Sequence, residues 1–270
     1  MSAILSPLHV YPVKSCAPLA PADAVVEALG LAHDRRWMVV DAAGRFMSAR
    51  KWPRMLLVHA QPVDGGVAVD APGTAPHVVR ALADPAARCD VTVWGSTVSA
   101  RRANPEADAW ISGFLGTDAH FVHMDEAALR PVDLAYGRAG DRVSFADGFP
   151  LLLVSQAALD ALNEKLAAPV PMLRFRPNLV VTGTDAHAED TWRRVAIGGV
   201  AFDVVKPCTR CVLTTVDPAR GEFDASGEPL RTLLTYRRGE SGVTFGQNLI
   251  ARGRGTLRPG DAVDVLEHVL

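Results

Sequence analysis

The densest chemistry in this chain lies in Lys206-Pro207-Cys208-Thr209-Arg210-Cys211, with Val212-Leu213-Thr214-Thr215-Val216 following at once. A thiolate is a soft ligand of the kind that copper, zinc or molybdenum accepts. The arginine between the two cysteines favours an ionised thiol over a neutral one. Spacing alone leaves the pair open: half a zinc site, a redox dithiol, or two inert thiols of which one merely packs. Zinc asks for a second pair of ligands, and the remaining cysteines, Cys16 and Cys89, stand far apart and form no second knuckle. A thioredoxin-like dithiol opens a helix after a strand. Here the β-branched run 212–216 predicts a strand instead.

The elements that must position these thiols are mostly short strands. Ser6 to Val13, Ala24 to Ala28, Arg36 to Asp41, Gly44 to Ser48 and Leu56 to Gln61 carry β-branched and aromatic residues between Gly, Pro and Asp punctuation. Asp41-Ala42-Ala43-Gly44 reads as a hairpin turn. Val67 to Val69, Val78 to Ala81 and a single run from Asp90 to Val98 continue the pattern. Asn104-Pro105-Glu106 predicts a helix start, and Gly116 its end after Leu115. A polar stretch from Arg130 to Asp147 separates this part from the apolar strand Pro150 to Val154. Ser155 then caps a helix to about Ala167. Strands at Asn178 to Thr182, Arg194 to Ile197 and Val200 to Val205 lead into the cysteine segment. A helix near Pro229 to Arg237 and strands near Val243 to Ile250 and Ala262 to Leu266 close the chain. The reading is a mainly β chain with a few helices (α+β), divided at 1–118 and 119–270.

Several motifs, in order, carry a family resemblance. They are Tyr11-Pro12-Val13-Lys14-Ser15-Cys16, His33-Asp34-Arg35-Arg36-Trp37-Met38-Val39-Val40, Leu173-Arg174-Phe175-Arg176-Pro177-Asn178-Leu179-Val180-Val181, the cysteine segment, and Thr244-Phe245-Gly246-Gln247-Asn248. Together they resemble the MOSC proteins, in particular members with an N-terminal β-barrel domain of the mitochondrial amidoxime-reducing and bacterial YcbX type. The resemblance implies a MOSC-type β-barrel domain preceded by a β-rich N-terminal domain. It also implies a molybdenum cofactor, a molybdopterin whose metal takes one protein thiolate, Cys211.

By the same resemblance, Arg176 and Asn178 match cofactor-contacting positions. A guanidinium offers a planar fork for phosphate or pterin oxygens, and an amide both donates and accepts. Lys14 and Arg35 match cationic contacts from the N-terminal domain, which would place the cofactor between domains, a usual ligand position. Arg36, beside Arg35, could be the inward one instead. Thr209 matches a polar contact. Arg174 would share a strand face with Arg176 and Asn178. Asp147 and Gly148 fall where the family has an acidic residue and a small polar contact. Glycine replaces a hydroxyl residue there and Phe149 a serine, so anion binding must use backbone N–H groups or other residues. Asp147 is read as a proton donor or as an anchor for a cation. Cys208 is as readily a packed thiol, since free cysteine behaves as a small hydrophobe.

The implied activity is reduction of small N-hydroxylated compounds, hydroxylamines, amidoximes or N-hydroxylated bases, with electrons from an external flavin or iron-sulfur reductase, since no four-cysteine module is present. A molybdenum-cofactor or persulfide carrier without turnover is the alternative; a structural zinc protein is a third reading. Composition agrees with a globular chain: 49% hydrophobic and 21% charged residues, with 28 basic against 30 acidic side chains. That balance gives no general attraction for nucleic acid or membrane, so any anion site must be local. No signal peptide, no apolar run near the roughly 20 residues of a membrane span, and four unevenly spaced cysteines point to a reducing cytoplasm.

Overall fold

A computed structural model describes residues 2–240 and 242–269. Its largest sheet runs in the order Ile4–Leu8, Leu179–Thr182, Leu151–Ser155, Gly242–Ala251, Val200–Thr209, Trp192–Ile197, Val263–His268. The first and last of these strands also meet: Leu5 N–H donates to Asp261 O at 2.8 Å, Gly260 N–H to Leu5 O at 2.8 Å, and Val263 N–H to Ala3 O at 2.9 Å. These bonds join the two edges into a barrel, which removes exposed strand edges. The closure pairs one end of the chain with the other.

Strand alternation decides what fills the barrel. Leu151 and Leu153 enter the interior with Leu5, Leu179, Val195, Ile197 and Phe202. Leu152 and Val154 point the other way, onto Ala158, Leu159 and Leu162 of the helix Gln156–Asn163. Strand Leu151–Ser155 is therefore buried along its whole length, as expected of a strand covered on both faces. Ser155 caps the helix as anticipated, its Oγ accepting from Ala158 N–H at 3.2 Å. The helix ends at Asn163 rather than near Ala167.

A second β unit stands against the barrel. Its four-stranded sheet is ordered Trp37–Val40, His120–His123, Ser96–Arg102, Arg88–Val93, beside a three-stranded meander of His59–Val63, Gly66–Asp70 and His77–Arg80. The helix Pro105–Leu115 covers it, ending at Gly116 in the left-handed region as its sequence anticipates. Sheet membership does not change at residue 118, because His120–His123 pairs with both Trp37–Val40 and Ser96–Arg102.

Four local expectations are corrected. The run 212–216 is not a strand: Val212–Thr215 is a 3-10 turn, and only Val216–Asp217 pairs, with Glu222–Phe223. Thr214 and Thr215 donate their hydroxyls to the carbonyls of Cys211 and Val212, at 3.0 and 2.8 Å. This side-chain competition with extended backbone overrides β propensity. Residues 174–178 are not a strand either. Met172–Phe175 is a 3-10 turn, and Arg176 follows at φ +54°. The run Asp90 to Val98 is two strands folded at Trp94-Gly95, with Trp94 at φ +53°. Gly44 to Ser48 forms only isolated bridges, Val40 with Phe46 and Arg45 with Thr92.

Candidate functional site

One cleft, about 860 Å³ counted out to its open mouth, lies where the two β units meet. The eight site residues expected from the sequence all line it, namely Lys14, Arg35, Asp147, Gly148, Arg176, Asn178, Thr209 and Cys211, with Arg174 and Cys208 beside them. Reaching it requires contacts between residues more than a hundred positions apart.

The innermost support is a buried polar network. Asn178 is 1% exposed. It donates to His9 O and Asp34 Oδ1, both at 3.0 Å, and accepts from Leu152 N–H at 3.2 Å and Arg35 Nη1 at 2.9 Å. Asp34, fully buried, accepts from Tyr11 N–H at 2.9 Å and from Arg35 Nη1 at 2.6 Å. Asn178 is thus a tie between barrel and N-terminal unit, fully committed to protein partners. These four bonds suit a positioning role for Asn178 within the cleft that it lines. Between Arg35 and Arg36, the structure turns Arg35 inward.

Tyr11 separates two guanidiniums. Arg35 and Arg176 each lie 4.2 Å from its ring centre, and its hydroxyl donates to Pro177 O at 3.1 Å. The ring quadrupole attracts both cations while holding them apart. Burial pushes the Tyr11 phenol up to about 12, so it stays neutral. Arg176 spends Nη1 on Cys16 O at 2.9 Å. Its left-handed φ turns it away from the strand geometry assumed for it, although Arg174 still reaches the same cleft.

Arg174 carries the clearest sign of a missing partner. Only 7% exposed, it has Nε and Nη1 without any hydrogen-bond partner, and its one contact is Asp224 at 3.5 Å. Buried unpaired donors are uncommon and call for a ligand, an ion or water. Six cationic side chains, Lys14, Arg35, Arg50, Arg174, Arg176 and Arg210, line the cleft against one carboxylate, Asp147. In a chain with balanced charge, that is a local concentration of positive charge suited to an anion.

Asp147 sits at the mouth, its side chain 67% exposed. It accepts from Lys14 Nζ at 2.6 Å and from Trp94 Nε1 at 3.2 Å. Desolvation by the surrounding cleft walls would push its carboxyl up, but the Lys14 charge and hydrogen bond, the Trp94 bond and the Arg50 charge outweigh that. They hold it well below the usual carboxylate range. Asp147 is therefore ionised at neutral pH and anchors Lys14. An ionised carboxylate fits the anchoring of a cation better than the storage of a proton. Burial pulls Lys14 down, against the raising effect of Asp147; its ammonium also donates to Phe145 O at 2.7 Å.

Cys211 follows strand Val200–Thr209 in extended backbone and opens the 3-10 turn. It is half-buried, and its carbonyl accepts from Thr214 Oγ1 at 3.0 Å. Arg210 grips the loop from behind, donating to Phe245 O from Nε and Nη2 at 2.8 and 2.5 Å and to Phe175 O at 2.9 Å. Cys208 packs against the cluster of Leu152, Phe175 and Phe245, and burial raises its thiol. The packed-thiol reading of Cys208 fits that position. Thr209 is exposed at the cleft rim. At Gly148 an added Cβ would meet nothing within 4 Å, so crowding does not dictate glycine there.

Some contributors were not anticipated. Trp94 stands at the mouth with Arg50 4.5 Å above its ring and Phe46 at 4.8 Å. Arg130, 4% exposed, shapes the loop below it by donating to Ser144 O, Ala146 O and Asp147 O. Asp34 adjoins Arg35 in His33-Asp34-Arg35-Arg36, and its acidic side chain between basic neighbours was the available signal. Nothing in the sequence marked Arg130.

The donor set fits a molybdopterin: one free thiol for a metal, and clustered guanidiniums, one with unpaired buried donors, for phosphate. Among the described residues no three His, Cys, Asp or Glu side chains group as metal ligands, which gives the zinc reading no support. None of the described helices is long and apolar enough to cross a membrane.

Comparison with known proteins gives two family matches in chain order: the MOSC N-terminal beta barrel domain over residues 2–118 and the MOSC domain over residues 140–264. Mitochondrial amidoxime-reducing component 1 of Mus musculus is 34% identical over 279 residues, covering 96% of this chain and 81% of that protein. Its namesake from Homo sapiens is 32% identical over 280 residues, covering 96% and 82%. Among solved structures, the YUAD protein from Bacillus subtilis matches with a TM-score of 0.45 at 12% identity, covering 97% of this chain and 94% of that one.

Proposed function

The chain belongs to the MOSC family, and on that footing we propose that it is a molybdenum-cofactor-dependent reductase of small N-hydroxylated compounds. The observation that carries this reading is the convergence of Cys211 with six cationic side chains on a single cleft, in a chain whose relatives are named amidoxime-reducing. Cys211 would supply the thiolate to molybdenum. Arg174, Arg176 and Arg50 would take the phosphate and pterin oxygens, with Arg174 Nε and Nη1 gaining the partners they lack. Lys14, Gly148 and Thr209 complete the contacts, and Arg35 adds charge from behind.

When bound, the cofactor supplies two electrons that, with two protons, convert an N–OH group to N–H and water. The chain's own residues place the substrate. Trp94 offers a flat wall at the mouth, and ionised Asp147 accepts a hydrogen bond from an N–OH group or from a water that delivers protons. Lys14 keeps that carboxylate charged and in place. An external flavin or iron-sulfur reductase would deliver the electrons. Four free cysteines suit the reducing cytoplasm proposed as its setting.

The test is molybdenum and pterin per chain in protein from a cofactor-competent host, beside Cys211→Ala. Near-stoichiometric molybdenum that is lost in the variant, together with amidoxime reduction by the wild type, is expected. Molybdenum and turnover retained in Cys211→Ala would refute the assigned ligand. Labile sulfur on Cys211 without turnover would favour the carrier instead.

A further inference from the structure

The two arginines of His33-Asp34-Arg35-Arg36-Trp37 part company. Arg35 enters the cleft just described. Arg36 lines a second one, about 870 Å³ to its open mouth, with Pro12, Trp37, Val63, Arg101 and His123. The two clefts share a wall: Trp37 N–H donates to Pro12 O at 3.0 Å, and Lys14 N–H to Trp37 O at 2.8 Å.

Three residues that line this second cleft each carry a buried polar atom without a partner: Arg36 Nε, Arg101 Nε and His123 Nδ1. Other atoms of the two guanidiniums brace the frame, Arg36 Nη2 on Glu27 and Arg101 Nη2 on Leu82 O. The unpaired donors are therefore the ones left over. Among the described residues no carboxylate lines the cleft. Trp37 and His123 stand with ring centres 4.5 Å apart and planes tilted by 38°, and together they form an aromatic wall. Two guanidiniums and an imidazole beside such a wall match an oxyanion attached to a compact planar or apolar body.

We propose that this second cleft binds a small organic oxyanion, a carboxylate or a phosphate, held by Arg36, Arg101 and His123 with its body against Trp37. The site is separate from the molybdenum reading and stands or falls without it. Burial lowers the His123 imidazole to about 4; Asp125 opposes this, while Arg101, Arg36 and Arg88 add to it. Asp125 is itself held by Arg88 at 2.7 and 2.9 Å, which leaves His123 facing mainly positive charge. A bound anion reverses that balance and favours the imidazolium.

The experiment follows the His123 ring by NMR in the full chain, titrated separately with inorganic phosphate and with benzoate. A saturating upward move of the His123 titration by about one unit or more is expected with at least one probe. Arg101→Gln and Arg36→Gln should each weaken that binding about tenfold or more, the loss of one charge-assisted hydrogen bond. Two variants guard against misfolding of either. Arg176→Gln, altering the other cleft, should leave the His123 response unchanged. A His123 titration indifferent to both probes, or a response equal in wild type and both arginine variants, would overturn the site and leave its donors to water.

Discussion

Replacing Asp34 by Asn tests whether one buried carboxylate holds the N-terminal cations in the cleft. Its side chain is fully buried, and its partner Arg35 is 11% exposed. In the variant, Oδ1 still accepts from Tyr11 N–H and Asn178 Nδ2. At the Oδ2 position an amide N–H₂ would face Arg35 Nη1, donor against donor. Losing a charge-assisted hydrogen bond costs about 1.5–3 kcal/mol. A buried cation left without its partner brings the total to about 3–5 kcal/mol. Asn178 Oδ1 still accepts from the same Nη1 at 2.9 Å, so the lower end, about 3 kcal/mol, is expected. Against a typical stability of about 5–15 kcal/mol the protein should still fold. Its melting temperature should fall by about 6–12 °C, at about 2–4 °C per kcal/mol for a chain of this size.

Urea unfolding gives the free energy directly, and a double-mutant cycle with Arg35→Met isolates the pair. A coupling of about 2 kcal/mol is expected, because removing the guanidinium relieves what the first change creates. Cofactor loading should fall as well, since Arg35 loses the group that orients it. If Asp34→Asn costs less than about 1 kcal/mol, or the single costs simply add, the carboxylate does not hold Arg35 and the argument for the network fails.

Three further outcomes follow from the geometry. Asp147→Asn should lower turnover without removing a limb of the pH–rate profile between about pH 5 and 8, because the wild-type carboxyl is held ionised throughout that range; a lost acidic limb would restore Asp147 as a stored proton donor. Gly246→Ala places a Cβ 2.6 Å from Leu153 O at φ +77°. It should destabilise the protein by clearly more than about 1 kcal/mol in a thermal melt, and a neutral result would mean that the strand beneath Arg210 can shift. For His123, the folded value near 4 lies below the ordinary 6.5, so the unfolded chain binds more protons between them. Its contribution therefore erodes stability as pH falls from about 6.5 towards 4. His123→Gln should flatten that part of the stability curve, and an unchanged slope would refute the burial argument.

The sequence by itself determined the chemical vocabulary and much of the local grammar. The thiols, the Arg176 fork and the Tyr11-to-Lys14 element were visible as residue types. The helix bounds at Pro105 and Gly116 and the cap at Ser155 were legible because capping and proline geometry act over three or four residues. The continuous apolar run in 150–154 was equally local.

What only the tertiary structure decided depends on long-range contacts or on backbone that propensity does not encode. The barrel closes through Ile4–Leu8 against 260–263, a pairing no local pattern announces. Arg35 rather than Arg36 turns inward because Asp34 and Asn178, 144 residues apart in sequence, meet in the interior. Residues 212–216 read as strand because Val and Thr favour extended backbone, yet the threonine hydroxyls find carbonyls three residues back and tighten the turn. Arg176 and Trp94 adopt positive φ values that side-chain-bearing residues reach only when surrounding contacts hold them there. Asp147, a plausible acid in one dimension, becomes an anchored carboxylate once Lys14, 133 positions away, stands 2.6 Å from it. Charge and burial at a site are sums over neighbours, and the chain's folding alone chooses those neighbours.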